Sequence, residues 1–147
     1  MRITFFLFIL ASFSLHADDG LIHIKSPFTV AKTTDRMEQV LRSQGMTIFS
    51  RIDHALGAQK AGNVLRPTEL IIFGNPKIGT LLMQCNQKIA IDLPLKALVW
   101  KDEDSQVWIS YSDPIYLANR HNLSDCDKPI AKISGALKAF TESAVSQ

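Results

Sequence analysis

The run from Gly74 to His121, GNPKIGTLLMQCNQKIAIDLPLKALVWKDEDSQVWISYSDPIYLANRH, constrains this chain more than any other stretch. Gly74-Asn75-Pro76 opens a helix. Asparagine is a preferred cap, and proline at the first helical position lacks an N–H that would have no partner there. Ile78, Leu81, Leu82, Cys85 and Ile89 then fall on one helical face. Ile91-Asp92-Leu93-Pro94 ends the helix, because the residue before a proline is driven to extended geometry. Leu95–Trp100 and Val107–Tyr111 flank the polar turn Lys101–Gln106 as a β-hairpin, with Val107, Ile109 and Tyr111 on one face and Trp108 and Ser110 on the other. Asp113-Pro114 repeats the cap-then-proline device and opens a short helix that runs to His121.

The remaining punctuation completes the order. Leu21–Lys25 alternates as a strand and Ser26-Pro27 stops it. Thr29 caps a helix whose apolar face is Val30, Met37, Val40 and Leu41, and Gly45 closes it. Met46–Ile52 reads as a half-buried strand, with Met46, Ile48 and Ile52 set against Thr47, Phe49 and Arg51. Asp53–Pro67 reads as a long loop with room for one helical turn near Ala55; loops of that length are often functional. Thr68–Phe73 is a short continuous apolar strand, expected to be buried on both faces. A last helix from Lys128-Pro129 carries Ile130, Ile133, Leu137, Phe140 and Ala144 at helical spacing. This order predicts an α+β fold: an antiparallel or mixed sheet of about five strands with helices packed on one face, a two-layer sandwich.

Arg2, the apolar run Ile3–Phe13 and the small residue Ala17 form the tripartite pattern of a secretory signal peptide. The run is far shorter than the roughly 20 residues needed to cross a bilayer as a helix. The expected location is therefore the periplasm or the exterior. Cleavage near Ala17 removes 17 of the 147 residues and leaves a single domain of 130, residues 18–147. It also removes Arg2, so 15 basic residues face 14 acidic ones, a balance that argues against nucleic acid as a partner. No later segment is apolar enough to span a membrane. Export also changes how Cys85 and Cys126 read. They can form one disulfide, contributing roughly 4 kcal/mol by chain entropy. Each can instead be a thiol, Cys85 as a small hydrophobe on its helical stripe. Redox chemistry is a weaker reading, since no CxxC is present.

Four pieces carry a resemblance: IDHA at Ile52–Ala55, LRPTELIIFGNPKIGTLLMQ at Leu65–Gln84, IDLPLKALVW at Ile91–Trp100 and VWISYSDPIYLANRH at Val107–His121. The chain resembles, from about Leu21 to Phe140, the bacterial family known only as "domain of unknown function 302". The resemblance implies an α+β fold and a homodimer, and it implies no activity or cofactor.

Candidate chemistry is sparse. The helix start at Asn75 and Lys77 offers N–H groups and positive charge to a small anionic ligand, with Thr68 and Thr80 nearby; plain capping is the simpler account. His54, His121 and His23 show no metal-ligand spacing, although with Asp53, Asp113 or Met83 they could converge on copper or haem iron. As a base, His54 would need Asp53, Asp113 or His121 as an acid–base partner, which an alternative enzymatic reading supplies. Asp102-Glu103-Asp104 lacks the glycine and terminal glutamate of a calcium loop. No nucleophile motif is present. The leading expectation is a non-enzymatic exported domain that binds a small ligand or a partner, with His54, Thr68, Asn75, Lys77, Thr80, Asp113 and His121 as candidate contacts.

Overall fold

Side-chain caps set the helix boundaries. The computed structural model describes residues 19–147, so the expected signal peptide and its expected cut near Ala17 lie outside the described residues. The Thr29 hydroxyl accepts from the Lys32 amide and opens α1 (Val30–Ser43). Asp53 accepts from the Leu56 amide at 2.8 Å and opens α2 (His54–Lys60). Asn75 caps α3 (Pro76–Cys85) and Asp113 caps α4 (Pro114–Arg120), each with proline at the first helical position. The longest helix, α5 (Asp127–Val145), begins after Cys126 with no side-chain cap.

Five strands form one sheet: β1 (Leu21–Ser26), β2 (Thr47–Asp53), β3 (Thr68–Gly74), β4 (Leu95–Lys101) and β5 (Val107–Ser112). Their order is β1-β5-β4-β3-β2 and every pairing is antiparallel. β1 therefore lands beside the last strand and forms one edge. The inner face presents Ile71 and Phe73 of β3, Val99 of β4 and Ile109 of β5, all buried. Met37 and Leu41 of α1 and Ile133, Leu137 and Phe140 of α5 pack on them. Burying side chains of this size contributes about 1.5–3 kcal/mol each. The architecture is the expected two-layer α+β sandwich.

Local details depart from the sequence reading in four places. Asp53–Pro67 is half helix, since the Asp53 cap and Ala55, Leu56 and Ala58 sustain two turns of α2. β3 is buried on its inner face only; its outer residues Thr68, Leu70 and Ile72 are half-buried, because no helix covers that side. α3 ends at Cys85, where Asn86 turns extended (φ −153°) and its side chain caps a 3₁₀ turn over Gln87–Ile91. Ile89 is buried from that turn and not from α3. Finally, a bulge between Ile48 and Ser50 breaks the alternation of β2. Beyond it Arg51 stands opposite Ile71 on the inner face, and Ile52 stands opposite Leu70 on the outer one.

Candidate ligand pocket

A cavity of about 750 Å³ opens between α3, α5 and the end of the sheet where β3 leads into α3. The helix α5 supplies one wall with Lys132, Ile133, Ala136, Leu137, Ala139 and Phe140. These steps of one, three, one, two and one keep to one side of a helix, and at 1.5 Å per residue they cover about 12 Å of its length. Ile78, Leu82 and Met83 of α3 face them. Phe73 forms the floor, and Leu93, Pro94 and Leu95 close the side next to β4. Phe49, at the bulge in β2, also lines this cavity, where it is 52% exposed and lies near Gly74 and Pro94.

α3 is a lightly anchored wall. Leu82 is the residue it buries, and Leu81 is half exposed. Its far end is tied covalently: Cys85, the last residue of α3, is paired with Cys126, which precedes α5, with Cα atoms 6.4 Å apart. Cys126 is buried while Cys85 lies at the surface, off the apolar stripe that the sequence suggested. The pair thus joins the two walls of the cavity at one end.

Polar groups around the cavity are few. Asn75 is occupied by the Lys77 amide at 3.0 Å, and the Thr80 hydroxyl donates to the Pro76 carbonyl at 2.8 Å. The amides of Ile78 and Gly79 both donate to the Asn75 carbonyl, so residues 76–79 of α3 keep no free N–H for an anion. Lys77 points into solvent. Lys132 is the charged residue that lines the cavity, and no carboxylate or histidine does.

The other candidate residues do not gather. Thr68 lines a second, shallower cavity of about 580 Å³ beside α2 and donates to the Arg66 carbonyl. His54 is exposed at the first turn of α2. His121, buried at the end of α4, lies 2.5 Å from Asp92, whose carboxylate also meets Arg120 at 3.4 Å. Asp53 is the last residue of β2 and pairs with Glu69, whereas Asp113 follows the end of β5 near Ala97 and Leu95. His54 and Asp53 are therefore at the opposite end of the strands from Asp113 and His121, and no shared cleft joins them. Among the described residues, no three His, Cys, Asp or Glu side chains are grouped to hold a metal ion.

One constellation escaped the sequence, because its members lie 87 residues apart. Ser110 Oγ is 2.7 Å from His23 Nδ1, and His23 Nε2 is 3.4 Å from Asp19 Oδ2. The Asp19 carboxyl is held below its ordinary value by the Leu21 amide, which donates to it. Cross-strand pairing of β1 with β5 brings Ser110 and His23 together. The order serine, histidine, aspartate is that of a hydrolase triad, but the surroundings are not. Ser110 is 2% exposed, and its Oγ also accepts from the Trp100 indole at 2.8 Å. β5 is an interior strand, so its amides belong to the ladders and none is free to stabilise an oxyanion. This is a polar network on the outer sheet face.

A family model described as "Domain of unknown function DUF302" matches residues 22–140. The chain is 49% identical over 106 residues to a protein of Brucella suis biovar 1 (strain 1330) named "Fluoride-specific ion channel FluC 1", covering 72% of this chain and 42% of that protein. A protein of Brucella melitensis biotype 1, named "Fluoride-specific ion channel FluC 2", is 49% identical over the same length, covering 39% of it. The chain thus spans about two fifths of the curated relatives it matches. The crystal structure of an uncharacterized conserved DUF302 protein from Bacillus stearothermophilus superposes with a TM-score of 0.77 at 18% identity, covering 86% of this chain and 98% of that one. That likeness concerns the fold: the same α+β sandwich recurs at low identity. With the model match spanning most of its length, the chain belongs to the DUF302 family.

Proposed function

We propose that this is a non-enzymatic, exported binding domain that takes a small, mainly apolar molecule between α3 and α5. The observation that carries this reading is the cavity itself. Its volume of about 750 Å³ falls within the range of small-molecule sites, and its lining is apolar with a few polar groups at the rim. Asp53 and Asp113 cap helices, His121 and Asp92 are paired with each other, and none of these groups lines the cavity. The leader pattern at residues 1–17 supports export.

The same domain is read as a homodimer through the outer sheet face. Leu70, Leu98, Trp100 and Trp108 lie there half-buried with no helix above them. The curated relatives carry the name of a fluoride channel, but no helix among the described residues is long and apolar enough to cross a membrane. The shared region is accordingly read as an accessory binding part, and conduction is not assigned to this chain.

Titration of the purified protein with 1-anilinonaphthalene-8-sulfonate tests the pocket. Fluorescence enhancement and a rise in melting temperature are expected, and Ala136→Trp, which fills the cavity from the α5 side, is expected to abolish both. No enhancement, or one that Ala136→Trp leaves intact, would remove the pocket reading.

A further inference from the structure

We infer that the ligand of this pocket is an elongated single-chain amphiphile with an anionic head, a medium-chain carboxylate, whose head group meets Lys132. The inference rests on the α3–α5 cavity being the binding site, and it adds the ligand's shape and charge. Shape follows from the α5 stripe. Lys132 stands at one end of it and Phe140 at the other, about 12 Å apart along the helix. Between them the wall is Ile133, Ala136, Leu137 and Ala139, and the two alanines leave the space that larger residues would fill. An apolar wall of this length suits an extended chain.

Charge follows from what lines the trough. Lys132 is its one charged residue, it is exposed, and no hydrogen bond or ion pair with a carboxylate engages it. Asn75 and Thr80 have already given their side chains to the backbone of α3. With no acid along the cavity, a cationic head would find no partner, whereas a carboxylate at the Lys132 end would bring its counter-ion into contact while the chain displaces water from the apolar walls.

Calorimetric titration of the purified protein with decanoate and with 1-decanol separates the parts of this inference. Decanoate is expected to bind more tightly than the alcohol. Lys132→Gln is expected to weaken decanoate about fivefold, the scale of one exposed ion pair, and to leave decanol unchanged. Lys132→Arg should restore decanoate binding. Equal affinities for the two ligands, or no response to Lys132→Gln, would overturn the anionic head while the pocket reading stands. Binding of neither ligand would overturn the single-chain amphiphile, and the 1-anilinonaphthalene-8-sulfonate titration then decides separately whether the pocket reading stands. Co-sedimentation with phosphatidylglycerol vesicles, without binding of free decanoate, would show a membrane-resident lipid as the source and overturn the single-chain assignment.

Discussion

Arg51 of β2 donates to Glu69 of β3 at 2.6 Å on the helix-covered face of the sheet. The same guanidinium reaches Asp35 at 2.6 Å and Glu38 at 3.6 Å, both on α1. One cation thus holds the edge strand, its neighbour and the helix above them. Burial disfavours the charged guanidinium, but the bonds to Glu69 and Asp35 outweigh that and raise its pKa above the usual arginine value.

Arg51→Met is expected to destabilise the fold by about 2 kcal/mol, because the largely buried Glu69 loses its counter-charge. Adding Glu69→Leu should recover part of the loss, since no uncompensated carboxylate then remains. Urea denaturation of the parent and the two variants checks this. A double variant weaker than Arg51→Met by a full Glu69 deletion would contradict it.

Asp102 gives the hairpin an acid limit. Its carboxylate accepts from the Trp108 indole at 2.7 Å and from the Gln106 amide at 2.8 Å. The indole bond, ahead of the backbone bond, holds its pKa below the ordinary 3.8. A depressed acid stabilises the fold above the unfolded value and loses that contribution as pH falls through the folded one. The hairpin is therefore expected to be at full strength above about pH 4 and to loosen below it. The Trp108 indole N–H resonance should report the step, and Asp102→Asn should remove its pH dependence.

The Cys85–Cys126 pair closes a segment with a sequence separation of 41. Cys85→Ser with Cys126→Ser is expected to cost up to about 4 kcal/mol by chain entropy, which lowers the melting temperature on the order of 10 °C. Since the pair joins the two walls of the cavity, the same variant should bind 1-anilinonaphthalene-8-sulfonate more weakly, and reductant should reproduce both effects in the parent protein. Unchanged binding after reduction would show that α3 holds its place without the bond.

For the sheet face, Leu98→Glu is the informative substitution. Leu98 stands between Leu70 on β3 and Ser110 on β5, near the middle of the uncovered side. A charge there should leave the monomer folded, because that side chain carries no helix, and should convert a dimer to a monomer in light scattering. A parent protein that already runs as a monomer would dispose of the homodimer reading.

Much of the scaffold was legible in the chain because it is written in contacts between near neighbours. Caps at Thr29, Asn75 and Asp113, prolines at the first helical position and the period-two pattern of Val107, Ile109 and Tyr111 act over one to four residues, and each stands where it was expected. Their sequence order then dictated two layers. The bulge at Ile48–Ser50 could not be read that way, since it depends on how β2 registers against β3, and it decides that Arg51 faces α1. The pocket belongs to the same category. Its walls, α3 and α5, are separated by the hairpin and α4 in the chain, and only their packing, with Cys85 joined to Cys126, leaves a trough between residues that each look like ordinary core. Local energetics chose the elements; the space they fail to fill is a property of the assembled fold.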